Sequence, residues 1–167
     1  VQGGSVIKPL QGKGLVNGSA SVIRPLLDRY TGVVLSQGLY PSYSELDPYS
    51  MAACSIDTAV RNAVAAGADI ERLAILDNFC WCDSNNPRRL WQLKKASAAC
   101  YDYAVAYGTP YISGKDSMFN DFKGYNSDFN PVEISIPPTL LISSIGVMKD
   151  IRKAMTIDFK VPGDIIF

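Results

Sequence analysis

The sequence predicts an α/β fold, an α+β sandwich in which a sheet of about four strands carries two long helices on one face. Two observations carry that prediction. Short β-branched, apolar runs alternate with two longer segments of helical periodicity. Each helical segment opens on an Asp-Pro or Asn-Pro pair and closes at a glycine.

Along the chain, Val1 to Gly18 is glycine-rich and broken by Pro9, so it reads as an irregular arm. Ser21–Arg24 predicts a short strand ahead of Pro25, and Gly32–Ser36 a buried one. Asp47 caps a helix with Pro48 in its first position, ending at Gly67. Apolar residues surround most of that helix, which predicts deep burial. Its polar residues Asp57, Thr58, Arg61 and Asn62 cluster within two turns. Arg72–Phe79 is the next strand and ends beside the polar pair Asp77-Asn78. Asn86-Pro87 starts the second helix, with Leu90, Leu93, Ser97, Cys100, Tyr103 or Ala104, and Tyr107 at helical spacing up to Gly108. Thr109–Ile112 predicts a third strand, Lys123–Glu133 a polar flap, Thr139–Val147 a fourth strand, and Asp150–Met155 a short helix. Two helices cover one sheet face. The other, read as apolar from Val33, Leu35, Leu140 and Ile142, must meet another domain or subunit.

Composition narrows the function. In 167 residues, 16 basic side chains balance 16 acidic ones, so nothing favours nucleic acid or an anionic membrane as partner. No apolar run nears the roughly 20 residues of a membrane helix. Histidine is absent, which removes the commonest general base and metal ligand. Cys80 and Cys82 form a C-x-C without a second pair, short of a zinc ligand set. Reduced, mostly buried thiols suit a cytoplasmic protein. The chain begins without Met, and Pro162–Phe167 reads as a turn entering an interrupted strand, so a piece of a longer protein is expected.

Two polar clusters follow buried strands: Asp77-Asn78 and Gly114-Lys115-Asp116-Ser117. Carboxyl ends of strands are where open α/β sheets bind ligands. Glycine lets a backbone approach a phosphate and lysine neutralises its charge. Equally, such residues serve as caps and turns. Asn62 is open to the same two readings, as a cation ligand or a hydrogen-bonded buried amide.

The stretches "LDPYSMAACSIDTAVRNAVAAGAD", "LAILDNFCW", "YGTPYISGKDSM" and "IPPTLLISSIGVMKDIRKAMTIDFKVPGD" resemble, in order, the phosphoribosylformylglycinamidine synthase (formylglycinamide ribonucleotide amidotransferase) family, related to aminoimidazole ribonucleotide synthetase. The resemblance implies the N-terminal domain of that enzyme's second half over 1–158, with 159–167 starting the following C-terminal domain. It implies an aminoimidazole ribonucleotide synthetase-like domain whose open sheet face pairs with the like domain of the first half. It also implies a glutaminase partner, a small nucleotide substrate, and ATP and Mg2+ as cofactors of a C–N ligase in de novo purine biosynthesis. The ligase converts formylglycinamide ribonucleotide, glutamine-derived ammonia and ATP to formylglycinamidine ribonucleotide.

Residue by residue, the resemblance gives Asp77 and Gly114 as ATP contacts and Ser117 as a substrate contact. Lys115 stands where a small-form relative has a magnesium-binding asparagine, and is expected to touch phosphate directly. The catalytic histidine belongs to the first half, so no catalytic residue is expected here and the isolated chain is expected to be inactive and to pair as a homodimer. An auxiliary nucleotide–magnesium site is kept only at Asn62, because Ser19 and Thr58 replace two acids. Two other readings stay open: a scaffold domain that binds no nucleotide, and another ATP-using enzyme of the superfamily.

Overall fold

The computed structural model describes residues 4–165. The first three residues of the expected arm, and the last two of the expected terminal strand, lie outside the described residues. β1 (Ser5–Ile7) is followed by the short β2 (Leu10–Gln11) and β3 (Val16–Asn17), then β4 (Ala20–Ile23) and β5 (Gly32–Leu39). α1 (Pro48–Ala66), β6 (Leu73–Cys80), α2 (Pro87–Tyr107) and β7 (Tyr111–Ser117) follow. β8 (Phe122–Tyr125), β9 (Pro131–Ile134) and β10 (Thr139–Met148) complete the order.

The predicted α/β class holds, with more strands than expected. Among the described residues the main sheet has six, in the order β1-β4-β5-β10-β6-β7. β1 is an addition from the arm, where Ile7 pairs with Val22, and β4 is the short strand expected at Ser21–Arg24, whose Val22 pairs in turn with Val34. Glycines in the arm punctuate strands instead of abolishing them. β2 and β3 form a separate hairpin, and the expected flap is another, β8 with β9. Of the predicted helix at Asp150–Met155 only a 3-10 turn over Ile151–Lys153 forms.

Both long helices begin and end as their sequences demand. The Asp47 carboxylate accepts from the backbone N–H of Tyr49 and Ser50, and the Asn86 amide oxygen accepts from those of Arg88 and Arg89. Gly67 and Gly108 adopt left-handed conformations, φ 112° and 66°, that return their N–H groups to the last helical carbonyls. α1 buries Met51, Ile56 and Val60 among alanines 52, 59 and 63. The polar cluster on α1 has a structural reason. Asp57 accepts from Arg61 Nε (2.6 Å) and from the Tyr107 hydroxyl, joining α1 to α2. Burial raises the Asp57 carboxyl, but those two hydrogen bonds outweigh it and hold the group below its ordinary value.

The buried face of α2 differs from the expected one. Gln92, Ala96, Ala99 and Cys100 face inward, while Leu90 is 53% exposed. Small residues let α2 lie close to α1, so the larger Leu93, Tyr103 and Tyr107 flank the contact half-buried.

Alternation along the strands sorts the sheet faces. In β5 and β10 the even-numbered residues turn to the helices, among them Val34, Leu140 and Ile142, each fully buried. The open face therefore carries Val33, Leu35 and Leu39 with Leu141, Ile145 and Val147, which pair in register. Leu140 and Ile142, expected on the open face, belong to the core. The open face is apolar as expected, with a different set of side chains from β10.

Candidate functional site

β6 and β7 run parallel as neighbours, so their carboxyl ends meet at one edge of the sheet. The sequence placed "SGKDS" after a strand; instead it is the strand, because the chain past Ile112 goes on pairing with β6. The register is Asp77 with Gly114, Asn78 with Lys115, Phe79 with Asp116, and Cys80 with Ser117.

In-register residues point to the same side of a sheet, and successive residues alternate. Asp77 also pairs with Ile142 and Phe79 with Leu140, both buried beneath the helices. Asp77, Gly114 and Asp116 therefore lie on the helix side. Lys115 and Ser117, with Asn78 and Cys80, lie on the open side. The structure thus brings Asp77 to Gly114 and Lys115 to Ser117, but on opposite faces of the sheet edge.

On the helix side, a cavity of about 370 Å³ opens between α2 and the edge strand β7. Its walls are apolar: Phe79, Leu93 and Met118. Asp77, Tyr111 and Cys100 supply polar groups inside, with Asp116 and Ser97 also in the lining. None of the ion pairs among the described residues includes Asp77 or Asp116. Burial lifts the Asp77 carboxyl above its ordinary value; its own backbone N–H opposes this and the Asp116 charge adds to it. Burial also pushes the Cys100 thiol up to about 11, which makes it an unreactive, neutral group. Among the described residues the Tyr111 hydroxyl is buried with no partner beyond the weak Cys100 thiol beside it, and burial, that thiol and the Asp77 charge all raise it.

A carboxylate without an ion-pair partner in an apolar slot offers acceptors to a group that donates hydrogen bonds or carries positive charge. Of the residues lining this cavity, the sequence singled out Asp77 as a candidate but not Tyr111, Cys100 or Met118. The available signal was the i, i+3 pair Ser97 and Cys100, small and polar on a helix that must pass over the strand end.

The second expected cluster is only partly assembled. Ser19 and Asn62 line one cleft of about 520 Å³ together with Ser21, Gln37 and Ser143. The Asn62 amide donates to the Gln37 carbonyl at 3.4 Å. Thr58 is not part of this cleft; its hydroxyl pairs with that of Tyr40 at 2.9 Å. No carboxylate lines the cleft, so its residues do not fit a magnesium ion, which takes anionic oxygen ligands. All four cysteines are free thiols. Among the described residues no helix is long and apolar enough to cross a membrane.

Residues 17–148 match the profile of the AIR synthase related protein family, N-terminal domain. The chain belongs to this family. The domain match runs from β3 through β10 and so contains both strands of the candidate site. Among curated relatives, the phosphoribosylformylglycinamidine synthase subunit PurL of Methanothermobacter marburgensis is 32% identical over 164 residues, covering 98% of this chain and 20% of that protein. The PurL subunit of Picrophilus torridus is 26% identical over 169 residues, covering all of this chain and 21% of that protein. The chain therefore spans about a fifth of the length of the relatives it matches. Among solved structures, PurLQS from Thermotoga maritima superposes with a TM-score of 0.71 at 23% identity, over 96% of this chain and 23% of that one. Thermotoga maritima PurL complexed with ATP gives 0.69 at 23% identity, over 90% and 22%. These likenesses establish this AIR synthase related domain's fold.

Proposed function

We propose that the chain is one domain of an ATP-dependent ligase of de novo purine biosynthesis, making formylglycinamidine ribonucleotide from formylglycinamide ribonucleotide, ATP and glutamine-derived ammonia. The observation that carries this reading is near-complete alignment with relatives named phosphoribosylformylglycinamidine synthase subunit PurL. In it, residues 1–158 form the N-terminal domain of the synthetase's second half and 159–167 begin the next domain.

In this reading each of the four sheet-edge residues takes one part. Gly114 has no side chain, so the Asp77 carboxylate and a nucleotide share the space over β7. Asp77 takes hydrogen bonds from ATP inside the cavity. Lys115, exposed on the opposite face beside Asn78, reaches around the edge strand to phosphate, and Ser117 holds the ribonucleotide substrate by its hydroxyl. The chain supplies positioning and electrostatics and lacks a histidine base. ATP comes to this reading also through the relative solved in complex with it.

The apolar open face packs against the like domain of the first half, and a glutaminase delivers ammonia, in the cytoplasm. PurLQS of Thermotoga maritima lends support to such an assembly. One observation favours a second reading, a scaffold domain without nucleotide: the acid-free cleft at Ser19 and Asn62. Complementation separates the two. The full-length gene is expected to restore growth without purines to a strain lacking formylglycinamidine ribonucleotide synthesis, and its Asp77→Ala form to fail. Rescue by both forms equally would favour the scaffold.

A further inference from the structure

β7 is a largely exposed edge strand, and β6 is its one neighbour among the described residues. Its last ladder residue is Ser117, opposite Cys80, and such strand ends fray unless something holds them. Asn120 holds this one. Its side-chain amide donates to the Ser117 carbonyl at 2.7 Å and to the Trp81 carbonyl at 3.3 Å. Its backbone N–H also donates to the Trp81 carbonyl, at 3.0 Å, and the Trp81 N–H donates to the Ser117 carbonyl at 2.7 Å. Trp81 is a fixed anchor: it is fully buried, its ring stands edge-on to Phe79, and its indole N–H donates to the Arg89 carbonyl. Between Ser117 and Asn120, Phe119 takes a left-handed φ of 58°, which a bulky side chain rarely adopts unless its surroundings impose it. The next residue, Asp121, accepts from the backbone N–H of Asp83 at 2.7 Å and of Ile136 at 3.1 Å, so it ties the loop after β6 to the return of the flap.

We propose that Asn120 is a positioning residue for the ribonucleotide substrate: by clamping the ends of β6 and β7 it fixes the backbone that carries the Ser117 hydroxyl on the open face. Both groups facing the side chain are carbonyl oxygens, so the group between them must donate, which an amide does and a carboxylate does not. Asp77 and Gly114 need no such clamp, because the ladder holds them: Asp77 pairs with Ile142 on one side and Gly114 on the other. The inference rests on the reading of Ser117 as the ribonucleotide contact. It assigns to Asn120 a selective effect on that substrate, with ATP left alone.

The test has two arms, both on the full-length protein. In the first, hydrogen exchange read by mass spectrometry compares wild type with Asn120→Ala and Asn120→Asp, the latter keeping the shape but offering only acceptors at neutral pH. Both variants are expected to exchange faster around Trp81 and from Ser117 to Asp121, with the rest of β6 as protected as before. Unchanged exchange at those residues would overturn the clamp, and protection lost throughout the domain would reduce Asn120 to a folding role. In the second arm, KM for formylglycinamide ribonucleotide is expected to rise about fivefold in either variant, the worth of one ordinary hydrogen bond, with KM for ATP nearly unchanged. Because Asn120 acts through Ser117, adding Asn120→Ala to Ser117→Ala is expected to raise that KM no further. Equal rises for both substrates, or additive effects of the two changes, would overturn the positioning role. A wild type that makes no product would sink the ligase reading instead, while the exchange arm still decides the clamp.

Discussion

The Asp77 carboxylate lies across β7 at Gly114: a β-carbon built on Gly114 would stand 2.4 Å from Asp77 Oδ1 and 3.0 Å from its Cγ. The two residues are in register on parallel strands, 37 positions apart in sequence. Gly114 therefore matters for the space it leaves.

Gly114→Ala is expected to push the Asp77 carboxylate aside. The clashing atoms end a short side chain beside an exposed edge strand, so stability is expected to fall by only about 1 kcal/mol. ATP affinity is expected to fall more than tenfold, because the carboxylate and the mouth of the cavity both move. Urea unfolding and calorimetric titration separate the effects. A large stability loss with unchanged affinity would contradict this.

Asp77→Asn gives a pH-dependent difference in stability. The folded-state carboxyl titrates above its ordinary 3.8, so the folded chain holds a proton that the unfolded chain has released. Wild-type stability from this group is therefore lost as pH rises through the raised value. The variant is expected to melt higher than wild type at pH 7, with the gap closing below pH 3.8, where both states are protonated. A gap that widens in acid would mean that Asp77 is stabilised as an ion.

The open face predicts association of the isolated chain. Leu35 is 40% exposed and Leu39 48%, on a face with no helix over it. Sedimentation is expected to show a dimer at high concentration, and Leu35→Asp a monomer. A clean wild-type monomer would count against pairing through this face.

Magnesium–ADP is expected to bind weakly, if at all, in the Ser19–Asn62 cleft. Ser19→Asp is expected to strengthen it by supplying an anionic oxygen beside Asn62, and Thr58→Glu to add little, because Thr58 lies outside the cleft. Thr58→Glu also removes the hydroxyl that bonds Tyr40, so it is expected to cost stability, while isothermal titration reads the affinity of each variant. Tight magnesium-dependent binding by the unmodified cleft would overturn the account of this site.

The helices were legible because their ends are written locally: Asp47 and Asn86 cap, and Gly67 and Gly108 stop. The polar cluster at the sheet edge was legible for the same reason, since Asp77 and Gly114 break apolar runs. What lay beyond reach depends on pairing between distant segments. Whether Leu140 or Leu141 faces the core is a matter of register by one residue, and an uninterrupted apolar run such as "TLLISSIGV" does not specify it. The split of Lys115 from Asp77 follows from that alternation too. Tyr111 became visible as a site residue only once α2 lay over β7.

The most direct measurement is product formation by the full-length protein given glutamine, ATP and formylglycinamide ribonucleotide, compared with its Asp77→Ala form. The account predicts ATP-dependent formylglycinamidine ribonucleotide synthesis by wild type, and loss of at least about tenfold in kcat/KM for ATP in the variant, the cost of one charge-assisted hydrogen bond. Wild-type turnover that Asp77→Ala leaves unchanged would contradict it.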